Sequence, residues 1–85
     1  MTELGVEPRW RQWTEKAARE LGLDPSLIDI GRIHDVSRIV AHDFERPLAP
    51  VSTYILGLAV GAAAGKADID ELTRRLLATL EGDDD

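Results

Sequence analysis

No cysteine occurs in this chain, so neither a disulfide framework nor a thiolate metal site can hold it together. Aromatic residues are nearly as scarce, with two tryptophans, one tyrosine and one phenylalanine. Any core must therefore be largely aliphatic. Basic residues are outnumbered, 10 lysines and arginines against 16 aspartates and glutamates, and no basic footprint exists to grip phosphates, which argues against nucleic-acid binding. A long apolar run is missing as well. The best stretch, residues 51 to 65, is rich in alanine and glycine and interrupted by Ser52 and Thr53. It falls short of the about 20 residues a membrane span needs, so a buried helix is expected and no membrane association. The opening Met-Thr-Glu-Leu-Gly-Val-Glu-Pro has neither the basic nor the apolar segment of a secretory leader, and a cytoplasmic location is expected.

What is present is a mixed-charge chain of 85 residues with a formal net charge of −6. Glu81, Asp83, Asp84 and Asp85 supply four of those negative charges, leaving −2 on the body. The expected organisation is a single helical domain over residues 1–80 and an acidic, solvated tail over 81–85. A domain of this size buries only about 60% of the surface its unfolded chain exposes, and self-association is a common supplement.

Apolar spacing and caps predict four helices. The first runs from about Pro8, suited to a first helical turn, to Leu21, with Gly22 placed to take the left-handed conformation that ends it. Trp10, Trp13, Ala17 and Leu21 form one stripe, which makes the two tryptophans core anchors. Asp24-Pro25-Ser26 reads as a turn or an extra short helical start. The second helix begins after Asp29 as N-cap and reaches about Asp43, with Ile30, Ile33, Val36 and Val40 facing inward and Asp35 to Arg38 as an outer ion pair. Pro47 and Pro50 then disfavour helical backbone at Arg46 and Ala49 and stiffen the connection. A third helix spans about Pro50 to Ala64, stopped by Gly65. The fourth has Asp68 as N-cap, Glu71 where a capping box would place it, and a stripe of Ile69, Leu72, Leu76 and Leu80, with Leu77 alongside. No strand pattern competes. The expected fold is all-α, a compact bundle of four helices.

The third helix is apolar nearly all round. Steps of about 100° put Val51, Ile55, Leu58 and Ala62 on one side, Leu56, Val60 and Ala63 opposite, and Gly57 and Gly61 in a third sector beside Tyr54. A helix apolar on every side must be surrounded, and three short neighbours surround it only partly. Each glycine costs roughly 1 kcal/mol of helix stability relative to alanine, which close approach of another backbone would offset. Either the chain's own helices fill that groove, or Leu56, Gly57, Val60 and Gly61 form the face of a homodimer or of a contact with another protein.

Chemistry is harder to place. His34 and His42 lie about 12 Å apart along one helix, too far to share a metal ion, and no metal or other cofactor is expected. His42, Asp43, Glu45 and Arg46 cluster at a helix end, where Arg46 has acidic neighbours to pair with. The alternative is that Arg46, with His42, holds an anionic ligand or a partner's carboxylate. Ser37, Ser52 and Thr53 have no placed base, and no glycine-rich phosphate loop exists, so no catalytic residue is assigned and an enzyme is not expected.

The segment Val40-Ala41-His42-Asp43-Phe44-Glu45-Arg46-Pro47-Leu48-Ala49-Pro50, followed by its alanine- and glycine-rich helix, resembles a small actinobacterial helical domain family of unknown function. Trp13 through Leu21-Gly22-Leu23 is similar to that family's opening helix and turn. Members occur as short standalone proteins or associated with nucleotidyltransferases that attach a nucleotide to the molybdenum cofactor. The resemblance implies a non-enzymatic accessory or protein-interaction module in molybdenum-cofactor maturation, with His42, Phe44, Glu45, Arg46 and Pro47 as its partner or ligand surface. The partner is then such a nucleotidyltransferase or a second copy of the chain. A small anionic-ligand domain using His42 and Arg46, or a purely structural homodimer, are the competing expectations.

Overall fold

The computed structural model describes residues 7–64 and 66–80. The acidic tail expected over 81–85 and the helix stop expected at Gly65 lie outside them. The described residues form four α-helices, α1 (Pro8–Glu20), α2 (Ile30–Asp43), α3 (Ala49–Ala62) and α4 (Ile69–Ala78), with 3₁₀ turns at Pro25–Leu27 and Arg46–Leu48 and no strand among them. The all-α expectation holds. The chain divides into two compact units, the first ending at Ile33 and the second beginning at His34, so the boundary falls inside α2.

In the first unit the end of α1 is fixed by local chemistry. Gly22 has φ +75°, a value that costs glycine nothing. It lets Gly22 N–H reach Arg19 O at 3.1 Å and Leu23 N–H reach Ala18 O at 2.8 Å, which satisfies two otherwise orphaned carbonyls. Asp24 then caps the 3₁₀ turn. Its Oδ1 accepts from the backbone N–H of Ser26 at 2.9 Å and from the Ser26 hydroxyl at 2.8 Å. Those two bonds, the backbone one foremost, hold the Asp24 carboxyl below the usual carboxylate range.

The stripe expected on α1 is rotated. Ala18 is buried, with Trp10, Thr14 and Ala17 half-buried, whereas Trp13 is 68% exposed and Leu21 is exposed too. Trp13 is therefore not a core anchor. The inner face is set by where the chain returns, and the 3₁₀ turn packs on α1. Leu23 N–H ties that return to Ala18, about one residue step (~100°) away from the bulky stripe.

The second unit is organised by Leu56 of α3, packed with Val36 and Val40 of α2, all but sealed from solvent. Leu72, Leu76, Leu77 and Leu80 pack around this cluster, as does Leu48 from the second 3₁₀ turn. The stripes expected on α2 and α4 are the ones observed. Asp29 and Asp68 are both N-caps, Asp29 Oδ1 accepting from Arg32 N–H at 3.0 Å and Asp68 Oδ1 from Asp70 N–H at 3.0 Å. The capping box at Asp68 is only half made, because the Glu71 carboxylate turns outward to Arg74.

Two expectations for the α2–α3 connection and for α3 itself are corrected. Arg46 lies in the 3₁₀ turn and Ala49 has right-handed helical backbone (φ −58°, ψ −52°) despite the prolines that follow them. Pro47 and Pro50 instead occupy the first two positions of a turn and of a helix, where their missing N–H is not needed. Burial of Ala49 and of the Leu48 side chain outweighs the local steric preference. At its other end α3 stops at Ala62, two residues before the expected Ala64, and Ala64 itself has φ 55°.

That last feature is strained. Left-handed backbone costs a residue bearing a Cβ about 1–2 kcal/mol, against about 0.4–1 kcal/mol for the freedom glycine adds to the unfolded chain. Ala64→Gly is therefore expected to stabilise the fold by about 0.5–1 kcal/mol in urea unfolding. An unchanged or lowered midpoint would show that Ala64 carries no strain.

Candidate functional site

Helix α3 presents two faces of similar composition and opposite fate. Its inner face, Ala49, Ser52 and Leu56, is buried, with Val60 half-buried beside them. Its outer face is open. Tyr54 is 68% and Leu58 55% exposed, and Val51 and Ile55 are a little under half exposed. Helical geometry places these four side chains in one continuous strip. The two polar side chains of α3 are satisfied within the helix, since the Ser52 hydroxyl donates to Ala49 O at 2.6 Å and the Thr53 hydroxyl to Pro50 O at 3.0 Å. No charged residue occurs anywhere in Ala49–Ala62.

The glycines lie on the open side. A methyl group added at Gly57 or Gly61 would meet no atom within 4 Å among the described residues, so the groove beside them is open there. The four residues expected to share one packing face are thus divided. Leu56 belongs to the core, Val60 to its edge, and Gly57 and Gly61 to solvent.

The turn expected to carry the functional surface is likewise exposed. Phe44, 58% exposed, follows α2 as an uncovered apolar side chain. His42, Glu45, Arg46 and Pro47 are exposed as well. Arg46 does not make the ion pair expected of it: among the described residues neither Arg46 nor His42 has a hydrogen-bond or ion-pair partner. Both border a cleft of about 600 Å³ in the second unit, together with His34, Ser37 and Arg38, while Ala41, Ala49 and Pro50 complete its wall. His34 and Arg38 were not anticipated as part of this site. The signal was present in the sequence, because residues 34, 38, 42 and 46 repeat every four positions and fall in one row. Arg38 is held by Asp35, Nη2 to Oδ1 at 2.8 Å, as expected. No group of three or more metal-ligating side chains forms among the described residues.

A second concavity lies in the first unit. It has a volume of about 340 Å³ and is lined almost wholly by carbon, from Trp13, Ala17 and Leu21 on one side to Ile28, Ile30 and Ile33 on the other. No helix among the described residues is long and apolar enough to cross a membrane.

Residues 6–85 match the family described as Domain of unknown function (DUF6457), and the chain belongs to that family. The match bears out the resemblance only as far as membership of a domain family of unknown function. No curated protein and no solved structure gives a significant match.

Because the added methyl group finds open space, Gly57→Ala and Gly61→Ala should each stabilise the isolated chain by about 0.5–1 kcal/mol. Urea unfolding at a protein concentration low enough to keep the chain monomeric measures this. A loss of stability in either variant would mean that the chain's own backbone closes over the glycines.

Proposed function

We propose that this chain is a non-enzymatic, cytoplasmic interaction module that pairs with a second copy of itself through the outer face of α3. The observation that carries the reading is the strip of Val51, Tyr54, Ile55 and Leu58, left open on a helix without a single charge. Contiguous apolar patches of several hundred Å² on a small protein mark interaction surfaces. A twofold contact lays one patch against itself. For a chain of net charge −6 that arrangement is favourable only where the patch brings no carboxylates together, and α3 brings none. The open glycines support the same reading, since they permit close approach of a second helix.

The task such a module serves is suggested by the resemblance at Glu45-Arg46-Pro47. We infer an accessory role beside a nucleotidyltransferase of molybdenum-cofactor maturation, engaged through His42, Phe44, Glu45, Arg46 and Pro47. The exposed Phe44 ring and the Arg46 guanidinium, unpaired among the described residues, support this surface, an apolar anchor beside a bidentate donor.

Light scattering coupled to size exclusion, over a concentration series, tests the pairing. The expected mass is twice that of the 9.4 kDa chain, falling to the monomer in Leu58→Glu with helical circular dichroism intact. A wild-type monomer throughout the series would overturn it. The second contact is tested by co-purification with the nucleotidyltransferase. Phe44→Ala and Arg46→Ala should each reduce recovery about tenfold, the effect of losing about 1.4 kcal/mol. Full recovery with both variants would remove this surface from the reading.

A further inference from the structure

We infer that the cleft bordered by His34, Arg38, His42 and Arg46 is a binding site for a small organic phosphate monoester, separate from the α3 contact and sharing only His42 and Arg46 with the surface proposed for the nucleotidyltransferase. Its chemistry is one-sided. Four nitrogen-bearing side chains line it and no carboxylate does. Three of them follow one another along α2 at intervals of four residues, the spacing that stacks side chains about 5–6 Å apart on one helix face, and Arg46 continues the row from the 3₁₀ turn. The carboxylate of Asp35 holds one nitrogen of Arg38, and a guanidinium has five N–H donors, so several remain for a ligand. Arg46 has no partner among the described residues and its whole planar fork is free. An anion with several acceptor oxygens fits such a row of donors, and phosphate is the compact one that guanidinium groups recognise bidentately.

The site is an open cleft with room for more than the bare ion. About 600 Å³ lies within the range of small-molecule sites, roughly 300–1,000 Å³. Ala41, Ala49 and Pro50 give it an apolar wall of small side chains, with Ala49 buried and therefore fixed. A ligand with its phosphate on Arg46 and an apolar body on that wall uses both halves.

The test is titration of the full-length ¹⁵N-labelled chain with phenyl phosphate, inorganic phosphate and phenol, followed by amide and side-chain shifts. Phenyl phosphate is expected to saturate shifts at His34, Arg38, His42 and Arg46, at least about threefold tighter than inorganic phosphate, and phenol to leave them unmoved. Arg46→Ala should weaken phenyl phosphate binding about tenfold. Arg74→Ala, which removes a charge from α4, should leave it unchanged, as should Leu58→Glu. Equal weakening by Arg46→Ala and Arg74→Ala would reduce the effect to general charge and overturn the site. Equal affinity for phenyl phosphate and inorganic phosphate, or no saturation by about 10 mM ligand, would overturn it too. Leu58→Glu separates this inference from the self-association, because no residue of the outer α3 strip lines the cleft.

Discussion

The contact of Leu56 with Val36 and Val40 is the point on which the second unit turns. It joins α3 to α2, and the leucines of α4 and Leu48 gather around it. Each such side chain contributes about 1.5–3 kcal/mol when fully buried, so the cluster decides which side of α3 faces inward. Once that side is chosen, the opposite strip of Val51, Tyr54, Ile55 and Leu58 is left exposed. Helix α4 has 10 residues, and one short helix with one turn shields a single face of a neighbour.

The same contact positions the cleft. Leu48 reaches the cluster and Ala49 is buried, so the turn between α2 and α3 is drawn inward at its end. Pro47 and Pro50, each in the opening positions of a helical turn, keep that path short and stiff. Arg46, immediately before this anchored stretch, is left facing solvent while its backbone is held. The result is a row of four basic or imidazole side chains whose spacing comes partly from one helix and partly from a turn pinned by the core.

Much of the fold could be read from local signals. Asp29, Asp68 and Gly22 act through bonds to residues two to five positions away, so their roles need no knowledge of the tertiary structure. The stripes of α2 and α4 were equally plain, because polar residues occupy their other faces. Where sequence reading failed, the deciding information was not local. Trp13 looked like an anchor because bulk and spacing suggested it, but the returning chain at Leu23 chose Ala18 instead. Arg46 and Ala49 were expected to avoid helical backbone, and core burial next to them prevailed. Helix α3 offered no amphipathic contrast at all, so its inner and outer faces became distinguishable only once Leu56 was seen in the cluster. Of the candidate site, the sequence alone does not decide whether Phe44 is exposed or buried, and pairwise spacing does not reveal the contribution of His34 and Arg38. Spacing presents His34 as too far from His42 to share a metal ion and Arg38 as the partner of Asp35, and neither pairing reveals the row with His42 and Arg46.

The absence of charge on α3 has a consequence for how the two surfaces respond to their surroundings. Salt has no attraction to screen on the outer strip, and by damping the repulsion between two chains of net charge −6 it favours their approach. At the cleft, salt acts the other way, since its ions compete for the same exposed donors. One change in ionic strength would therefore tighten one contact and loosen the other. A chain of 85 residues would in that way hold two surfaces whose occupancy moves in opposite directions under a single external variable.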